Sequence, residues 1–338
     1  MTTVKPRYLA VTPTRNEGPF ILEWVAWYRM LGFDDILILS NDCSDHSPQM
    51  LDLLAAENLI DHLNHHPSPD TPPLKSAFRA ARRHPLVETA DWLFLCDIDE
   101  FLILHEGDGT IQGFIGDGPP DVAGIAFHWK VFGTGGQKTW QDGFVHRSYV
   151  RAAHEQSAAN TFFKSIIYKP ERFGEFQSHS PRRFNGLWGE TPNVWIDSNG
   201  RVIPDYNPNE NSLRATKKRD VVHTNAQINH YITRSYENFA YKKGQQSASS
   251  LVDRYTAKFL VKFDRNEEID QTALRSARRF DVFYAELAAI PGVMRLHHLC
   301  CADFVQAMCL KRGDDPHEDA RYRHHMAAAE RLENERSG

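Results

Sequence analysis

The chain has 338 residues, of which 41% are hydrophobic and 25% are charged. This composition is typical of a folded globular protein, argues against general disorder, and provides enough residues for a large core in one or two domains. The formal net charge of −5 excludes a general attraction to polyanions, so we expect no nucleic-acid partner.

Strand patterns and helix patterns alternate along the first hundred residues, as expected for βαβ units that build a parallel sheet. Apolar residues at helical spacing follow the first strand, and Gly32 ends that helix. The predicted elements are a strand over 8–12, a helix from Pro19, a strand over 36–39, a helix over 47–58, a strand over 59–63 and a helix over 75–83.

An apolar run from Trp92 to Phe101 ends in the acids Asp97, Asp99 and Glu100. Such a bounded run is typical of a fully buried strand of a parallel sheet, with its acids at the carboxyl end. Ligands of open α/β sheets bind at that edge, and two close carboxylates repel each other unless a cation or protons neutralise them. The pattern therefore indicates a metal-diphosphate site. The alternative is a solvated acidic turn, since a bare D-x-D occurs often by chance.

Beyond Phe101 the alternation weakens, as expected where a sheet becomes mixed and loops lengthen around a site. Strands are predicted over 123–129 and 162–168, with a glycine-bearing loop over 132–136. From Tyr236 onward the chain is predicted to be mainly helical, with a break at Pro291-Gly292 and a strongly polar segment over 314–338. No internal repeat is present in the sequence.

Several short motifs follow one another in a specific order between Tyr8 and Gly244. They are Thr14-Arg15-Asn16-Glu17, Glu23-Trp24, Gly32-Phe33-Asp34-Asp35-Ile36, Ser40-Asn41-Asp42-Cys43-Ser44-Asp45, Asp97-Ile98-Asp99-Glu100-Phe101, Trp129 with Phe132-Gly133, Lys164-Ser165-Ile166, His179, Asn229-His230-Tyr231, Ser235 and Lys243-Gly244. Together they resemble the family-2-like glycosyltransferases of GT-A fold. The resemblance is greatest to the branch related to the galactosyltransferases of the former "domain of unknown function" type.

The resemblance implies an α/β nucleotide-diphospho-sugar transferase fold of GT-A type, with a mostly parallel central sheet and flanking helices. We expect this domain over 1–244 and a mainly helical C-terminal extension over 245–338. The resemblance also implies that Arg15, Asn16 and Glu17 lie under the nucleotide, that Asp42 contacts its base or ribose, and that Lys75 lies nearby.

The same resemblance implies that Asp97 and Asp99 handle the ribose and the metal-diphosphate. His230 is the candidate for a further metal ligand, because a neutral imidazole can complete the coordination of Mn²⁺ and, less readily, of Mg²⁺. A hydrogen-bonded histidine without a metal is an equally open interpretation of His230.

Transfer of a sugar to a hydroxyl group also needs a catalytic base. Direct displacement needs a carboxylate or imidazole near the acceptor hydroxyl, and Asp142 and Glu190 are the candidates because both lie in tryptophan-containing, loop-like segments. A double displacement with a protein nucleophile stays open. Lys164 and the Arg182-Arg183 pair are candidates for holding a phosphate or an acidic acceptor, but a solvated face is the favoured interpretation of the arginine pair.

The predicted activity is metal-dependent transfer of a hexose from a nucleotide-diphosphate donor, UDP-linked by preference, to a carbohydrate or lipid-linked glycan, with inversion implied by the resemblance alone. Two alternatives remain: a metal-dependent phosphohydrolase or nucleotidyltransferase, and a catalytically silent nucleotide-sugar- or glycan-binding protein.

The absence of a signal-peptide pattern and of a long apolar run predicts a cytoplasmic enzyme, peripheral at the inner membrane face and acting in surface polysaccharide assembly. The cysteines lack the paired spacing of metal or redox sites, which favours buried thiols: Cys43, Cys96, Cys300, Cys301 and Cys309.

Overall fold

The computed structural model describes residues 5–116, 121–190 and 193–337. All of the strands but the last lie before residue 231 in the described ranges. The strands are β1 (Tyr8–Thr14), β2 (Asp35–Ser40), β3 (Asp61–Asn64), β4 (Trp92–Leu95), β5 (Glu100–Leu104), β6 (Val122–Val131), β7 (Arg151–Ala152), β8 (Phe163–Tyr168), β9 (Phe173–Glu175), β10 (Arg182–Phe184), β11 (Val194–Asp197), β12 (Ala226–His230) and β13 (Glu268–Ile269).

Helices flank these strands and dominate the C-terminal third. They are α1 (Gly18–Met30), α2 (Ser47–Ala56), α3 (Pro73–Ala81), α4 (Pro85–Thr89), α5 (Ile111–Ile115), α6 (Val145–Ser148), α7 (Tyr236–Lys242), α8 (Ala257–Phe263), α9 (Ala277–Ala288), α10 (Val293–Arg312) and α11 (Ala320–Ser337). The predicted break at Pro291-Gly292 separates α9 from α10, and Gly292 there has a left-handed φ of 92°.

The main sheet has the order β3-β2-β1-β4-β8-β6-β12-β5, and β11 also pairs with β6. The strands from β3 to β4 are mutually parallel, as are β6 with β12 and β6 with β11. β8 is antiparallel to both neighbours, and β5 is antiparallel to β12. The predicted α/β class, with a mostly parallel central sheet, flanking helices and C-terminal helices, is confirmed.

Alternate residues of β1 enter two cores on opposite faces of the sheet. Tyr8 and Ala10 join the cluster that contains the apolar residues of α1, whereas Leu9 and Val11 join the cluster that contains those of α3. All four residues are fully buried. Because helices cover both faces, the strand is apolar along its length rather than alternating.

The C-terminal helices pack onto the sheet domain. α9 and α10 both contact α1, and α10 also contacts α2 and α11. β13 pairs with β7, so strands from either side of Gly244 form one small sheet. The domain boundary expected at Gly244 stays a prediction. No helix in the described ranges combines the length and the apolar character needed to cross a membrane.

Candidate active site

A cleft of about 500 Å³ opens at the carboxyl ends of β1, β2 and β4. The turn after β1, the turn after β4, the end of β12 and the segment after α7 form most of its walls. The lining residues are Pro13, Thr14, Arg15, Asn16, Glu17, Asn41, Pro73, Leu74, Asp97, Ile98, Asp99, Trp129, Ser178, His179, Arg214, His230, Ile232, Tyr241, Lys242, Gln245, Gln246, Ser247, Ala248, Ser249, Leu251, Arg254, Tyr255 and Phe304.

The turn between β1 and α1 forms one wall of the cleft. Asn16 adopts a left-handed backbone with a φ of 55°, a conformation that asparagine tolerates better than most residues. Its Oδ1 accepts a hydrogen bond of 2.8 Å from the backbone N–H of Ser44, which ties this turn to the loop after β2. These contacts fix the backbone that carries Arg15 and Glu17 at the edge of the cleft.

A buried lysine, Lys164, forms ion pairs with the acidic turn between β4 and β5. The Nζ atom of Lys164 lies 3.0 Å from Oδ2 of Asp97 and 3.2 Å from Oε2 of Glu100. Glu100 also accepts a 2.8 Å hydrogen bond from the backbone N–H of Asp97. Lys164 reaches this turn because its strand, β8, pairs antiparallel with β4.

Burial and neighbouring charges shift the pKa values of Lys164 and Glu100 in opposite directions. Burial alone would lower the pKa of the Lys164 ammonium, but the charges of Asp97 and Glu100 outweigh it and raise the pKa. Burial likewise raises the pKa of Glu100, while Lys164 partly offsets that rise. Lys164 is therefore a fixed cation that neutralises Asp97 and Glu100. The sequence made it a candidate for holding a phosphate, but its ammonium group is already engaged by these two acids.

Asp99 and His230 are brought together by the pairing of β5 with β12. The backbone N–H of Tyr231 donates to the carbonyl of Asp99 over 2.9 Å, and His230 Nε2 lies 3.5 Å from Asp99 Oδ1. The imidazole packs against Trp129, with ring centroids 4.1 Å apart. Both residues line the cleft and are almost fully buried.

The carboxyl group of Asp99 stays ionised despite its burial. Burial alone would raise its pKa, but His230, Lys242 and Arg234 outweigh this effect and hold the pKa well below its usual range. Lys242 Nζ lies 3.9 Å from Asp99 Oδ2. A negatively charged oxygen therefore faces an imidazole nitrogen on the cleft wall.

Two cations from the segment after β12 contact Glu17. Arg234 Nη1 lies 2.8 Å from Glu17 Oε2, and Lys242 Nζ lies 3.5 Å from Glu17 Oε1. The guanidinium of Arg234 is buried and stacks over the ring of Phe20, 3.5 Å from its centroid. Glu17 is thus a structural counterion as well as a cleft residue.

The structure brings together most of the residues that the sequence assigned to the donor site. Arg15, Asn16, Glu17, Asp97, Asp99 and His230 all line the cleft. Asp42 and Lys75 do not line it, although Asn41 beside Asp42 and Leu74 beside Lys75 do. The predicted D-x-D turn and its downstream histidine are therefore neighbours in space.

The two base candidates lie elsewhere. Neither Asp142 nor Glu190 is among the cleft-lining residues, and Glu190 is exposed beside undescribed residues. Asp142 contacts His297 of α10, whose Nε2 lies 3.5 Å from its Oδ1. Among the described residues, the acids that line the cleft are Glu17, Asp97 and Asp99.

Several cleft residues had no recognised motif. Arg254 is an example. It lines the cleft, and although burial alone would lower its pKa, the charges of Tyr255, Asp97 and Asp99 raise it. Two cleft-lining residues, Leu74 and Ala248, are joined by a 3.0 Å hydrogen bond from the backbone N–H of Leu74 to the carbonyl of Ala248. The nearest motif in the sequence analysis was Lys243-Gly244, which precedes this segment.

The family model "Glycosyltransferase family 92" matches residues 8–267. No curated protein matches the chain significantly.

Among solved structures, similarity is distant. The mannosyltransferase PcManGT from Pyrobaculum calidifontis, in complex with GDP-Man and Mn²⁺, has a TM-score of 0.37 and 14% identity, covering 98% of this chain and 86% of that one. Residues 1–349 of TarS from S. aureus have a TM-score of 0.32 and 10% identity, covering 96% and 91%.

Proposed function

The chain belongs to glycosyltransferase family 92, and we propose that it transfers a hexose from a nucleotide-diphosphate donor bound in the cleft to a carbohydrate or lipid-linked glycan. The observation that carries this proposal is the meeting of the acidic turn, His230 and several cations at one sheet edge. The cations are Arg15, Arg214, Lys242 and Arg254. Such a mixture suits a diphosphate whose charge is shared between protein cations and a bound metal ion.

The residues present fit a divalent cation. Asp99 offers a carboxylate oxygen and His230 a ring nitrogen 3.5 Å away, a separation that two ligands of one metal ion can adopt. Two protein ligands leave coordination positions for substrate phosphates, as Mg²⁺ and Mn²⁺ sites commonly do. When bound, Mn²⁺ or Mg²⁺ would supply charge neutralisation for the leaving diphosphate.

The remaining roles follow from position and charge. Lys242 and Arg254 are cations beside the acidic turn and would contact diphosphate oxygens as negative charge develops there. Arg15, Asn16 and Asn41 offer hydrogen-bonding groups at the turns after β1 and β2, where the nucleotide would lie. Uridine is the nucleoside we propose, on the resemblance of the motifs.

Inversion by single displacement is part of the proposal, and it needs a base near the acceptor. Trp129 lines the cleft and is the aromatic residue that we propose to lie beside the acceptor sugar. The roles of Asp142 and Glu190 as base stay predictions that their positions do not support. A cytoplasmic site of action, peripheral to the membrane in polysaccharide assembly, belongs to the same proposal.

The test is thermal unfolding of the purified protein with UDP or GDP, each with and without Mn²⁺. A ligand at about 100 Kd that binds only the native state stabilises it by about 2.7 kcal/mol. We expect a Mn²⁺-dependent shift with UDP that Asp99→Asn loses. Asp61→Asn is the matched control, because Asp61 is exposed at the amino end of β3, away from the cleft.

The same proteins, incubated with a UDP-sugar, separate the alternatives. Sugar transfer to a glycan acceptor supports the proposal. Release of phosphate without transfer would favour the phosphohydrolase. No shift with any nucleotide would overturn the assignment of the cleft as a donor site, and binding without turnover across donors would favour a silent binding protein.

A further inference from the structure

A second group of potential metal ligands lies at the junction of the C-terminal helices, outside the cleft. One ligand atom each from Asp142, Cys301 and His325 lies within 4.8 Å of the others, and within the described residues this is the one such group of three or more. His297 lies beside them, with Nε2 3.6 Å from Cys301 Sγ and 3.5 Å from Asp142 Oδ1.

We propose that Asp142, Cys301 and His325, completed by His297, form a Zn²⁺ site that fastens α10 and α11 to the loop after Trp140. The site lies outside the donor cleft, and its residues come from three separate parts of the chain.

The donor set matches the chemistry of structural zinc. Zn²⁺ takes thiolate, imidazole and carboxylate ligands in tetrahedral groups of four. With Zn–N of about 2.0–2.1 Å and Zn–S of about 2.3 Å, tetrahedral angles place neighbouring ligand atoms about 3.3–3.6 Å apart. The separations of His297 Nε2 from Cys301 and from Asp142 agree with this spacing.

The backbone already presents the ligands. His297 and Cys301 are four residues apart on α10, so both lie on one face of the helix. His325 lies on α11, and its Nδ1 is 3.1 Å from Nδ1 of His298, a contact that orients the imidazole as outer partners of metal ligands do. Asp142 belongs to neither helix and comes from the loop after Trp140.

The loop that carries Asp142 is held in place by contacts other than the ligands. Arg321 donates to the carbonyl of Trp140 over 2.7 Å and forms an ion pair with Glu237, which in turn accepts from the backbone N–H of Trp140. The Trp140 ring packs edge-on against Phe304 at 5.2 Å. The backbone next to Asp142 is therefore fixed without any contribution from a metal ion.

Burial and charge are consistent with a structural cation. Cys301 is fully buried and His297 and His325 are nearly so, while the Asp142 side chain keeps 34% of its surface exposed and leaves a route for the ion. On binding, the thiol of Cys301 would release its proton to solvent and coordinate as thiolate. One divalent cation would then neutralise two anionic ligands.

The site has a consequence for the cleft. Cys301 and Phe304 lie one turn apart on α10, and Phe304 lines the donor cleft. A metal ion at Cys301 would therefore hold one wall of the cleft in place, although it takes no part in the transfer itself.

The test is the metal content of the full-length protein, purified from cells supplied with zinc and measured by inductively coupled plasma mass spectrometry. We expect about one Zn²⁺ per chain, lost in Cys301→Ser and in His325→Gln. Cys309→Ser is the matched control, since Cys309 is a buried thiol on the same helix and contacts Asp319. Asp99→Asn should also keep its zinc, which separates this site from the donor cleft.

Co²⁺ substitution gives a second readout that does not depend on stable variants. The wild-type protein loaded with Co²⁺ should show thiolate-to-cobalt charge-transfer absorption, and Cys309→Ser should retain it. Wild-type protein that holds no Zn²⁺ and shows no such absorption would overturn the proposal. Undiminished zinc in Cys301→Ser would do the same.

Discussion

Arg234 and Glu17 form an ion pair of 2.8 Å between the segment after β12 and the first turn of the fold. The Arg234 side chain is 1% exposed and that of Glu17 is 16% exposed, so little water screens the pair. Arg234 also has a left-handed backbone, with a φ of 50°, which the surrounding contacts must hold. This pair joins two segments that contribute residues to the cleft, the turn after β1 and the segment after β12.

Replacing Arg234 by methionine should destabilise the protein by about 3–5 kcal/mol, because it leaves a largely buried carboxylate without its closest cation. Urea unfolding measures the change. Lys5→Met is the control: it removes an exposed cation paired with Asp34, and we expect an effect of at most about 0.5 kcal/mol. Equal losses in the two variants would contradict this account of the pair.

Lys164→Met should cost a similar amount of stability, about 3–5 kcal/mol, because it leaves Asp97 and Glu100 without their shared cation. Adding Glu100→Gln to Lys164→Met should recover part of the loss, since the amide removes one of the two uncompensated charges. A double-mutant cycle by urea unfolding measures this coupling. Strictly additive effects would show that Lys164 does not act through Glu100.

Arg254→Gln should weaken nucleotide diphosphate binding about tenfold or more, because a hydrogen bond to a charged group contributes about 1.5–3 kcal/mol. Isothermal titration calorimetry with UDP and Mn²⁺ gives the dissociation constant. Arg219→Gln, at an exposed arginine outside the cleft, is the control. Unchanged affinity in Arg254→Gln would place the diphosphate elsewhere in the cleft.

His128 should contribute to acid sensitivity. Burial lowers its pKa from 6.5 to about 4, so the folded state favours the neutral ring while the unfolded chain takes up a proton below about pH 6.5. Its contribution to stability is therefore present above pH 6.5 and is lost as the pH falls towards 4.

Urea unfolding of wild type and His128→Gln between pH 7 and pH 4 tests this expectation. The free energy of unfolding of the variant should fall less steeply than that of the wild type, by up to about 3 kcal/mol over this range. His66→Gln, in an exposed loop, serves as the control. Parallel curves for His128→Gln and wild type would exclude His128 as a source of the pH dependence.

The local patterns predicted the first half of the fold because its elements are set by short-range periodicity. The apolar residues at helical spacing after β1 form α1. Trp24 and Tyr28 lie on the same face of this helix, and their ring centroids are 4.3 Å apart. The acidic turn was placed correctly because β4 is buried on both faces and must end where its acids begin.

The features that the sequence did not indicate depend on contacts between residues far apart in the chain. Lys164 lies in an apolar strand whose antiparallel insertion beside β4 has no local signature. Asp142 was interpreted as an acceptor-side residue from its tryptophan neighbour, but its partners come from helices more than a hundred residues later. The four-residue spacing of His297 and Cys301 was the one local clue to them.

β5 acquires its partner late in synthesis. It is the last strand of the main sheet order, and in the described part of the chain its pairing is with β12. Chains are made from the N-terminus, so Asp99 leaves the ribosome long before His230 does. Until then β5 presents an unpaired edge, which can join strands of other chains. Fragments that stop before Ala226 should therefore aggregate rather than form a smaller, partly active protein.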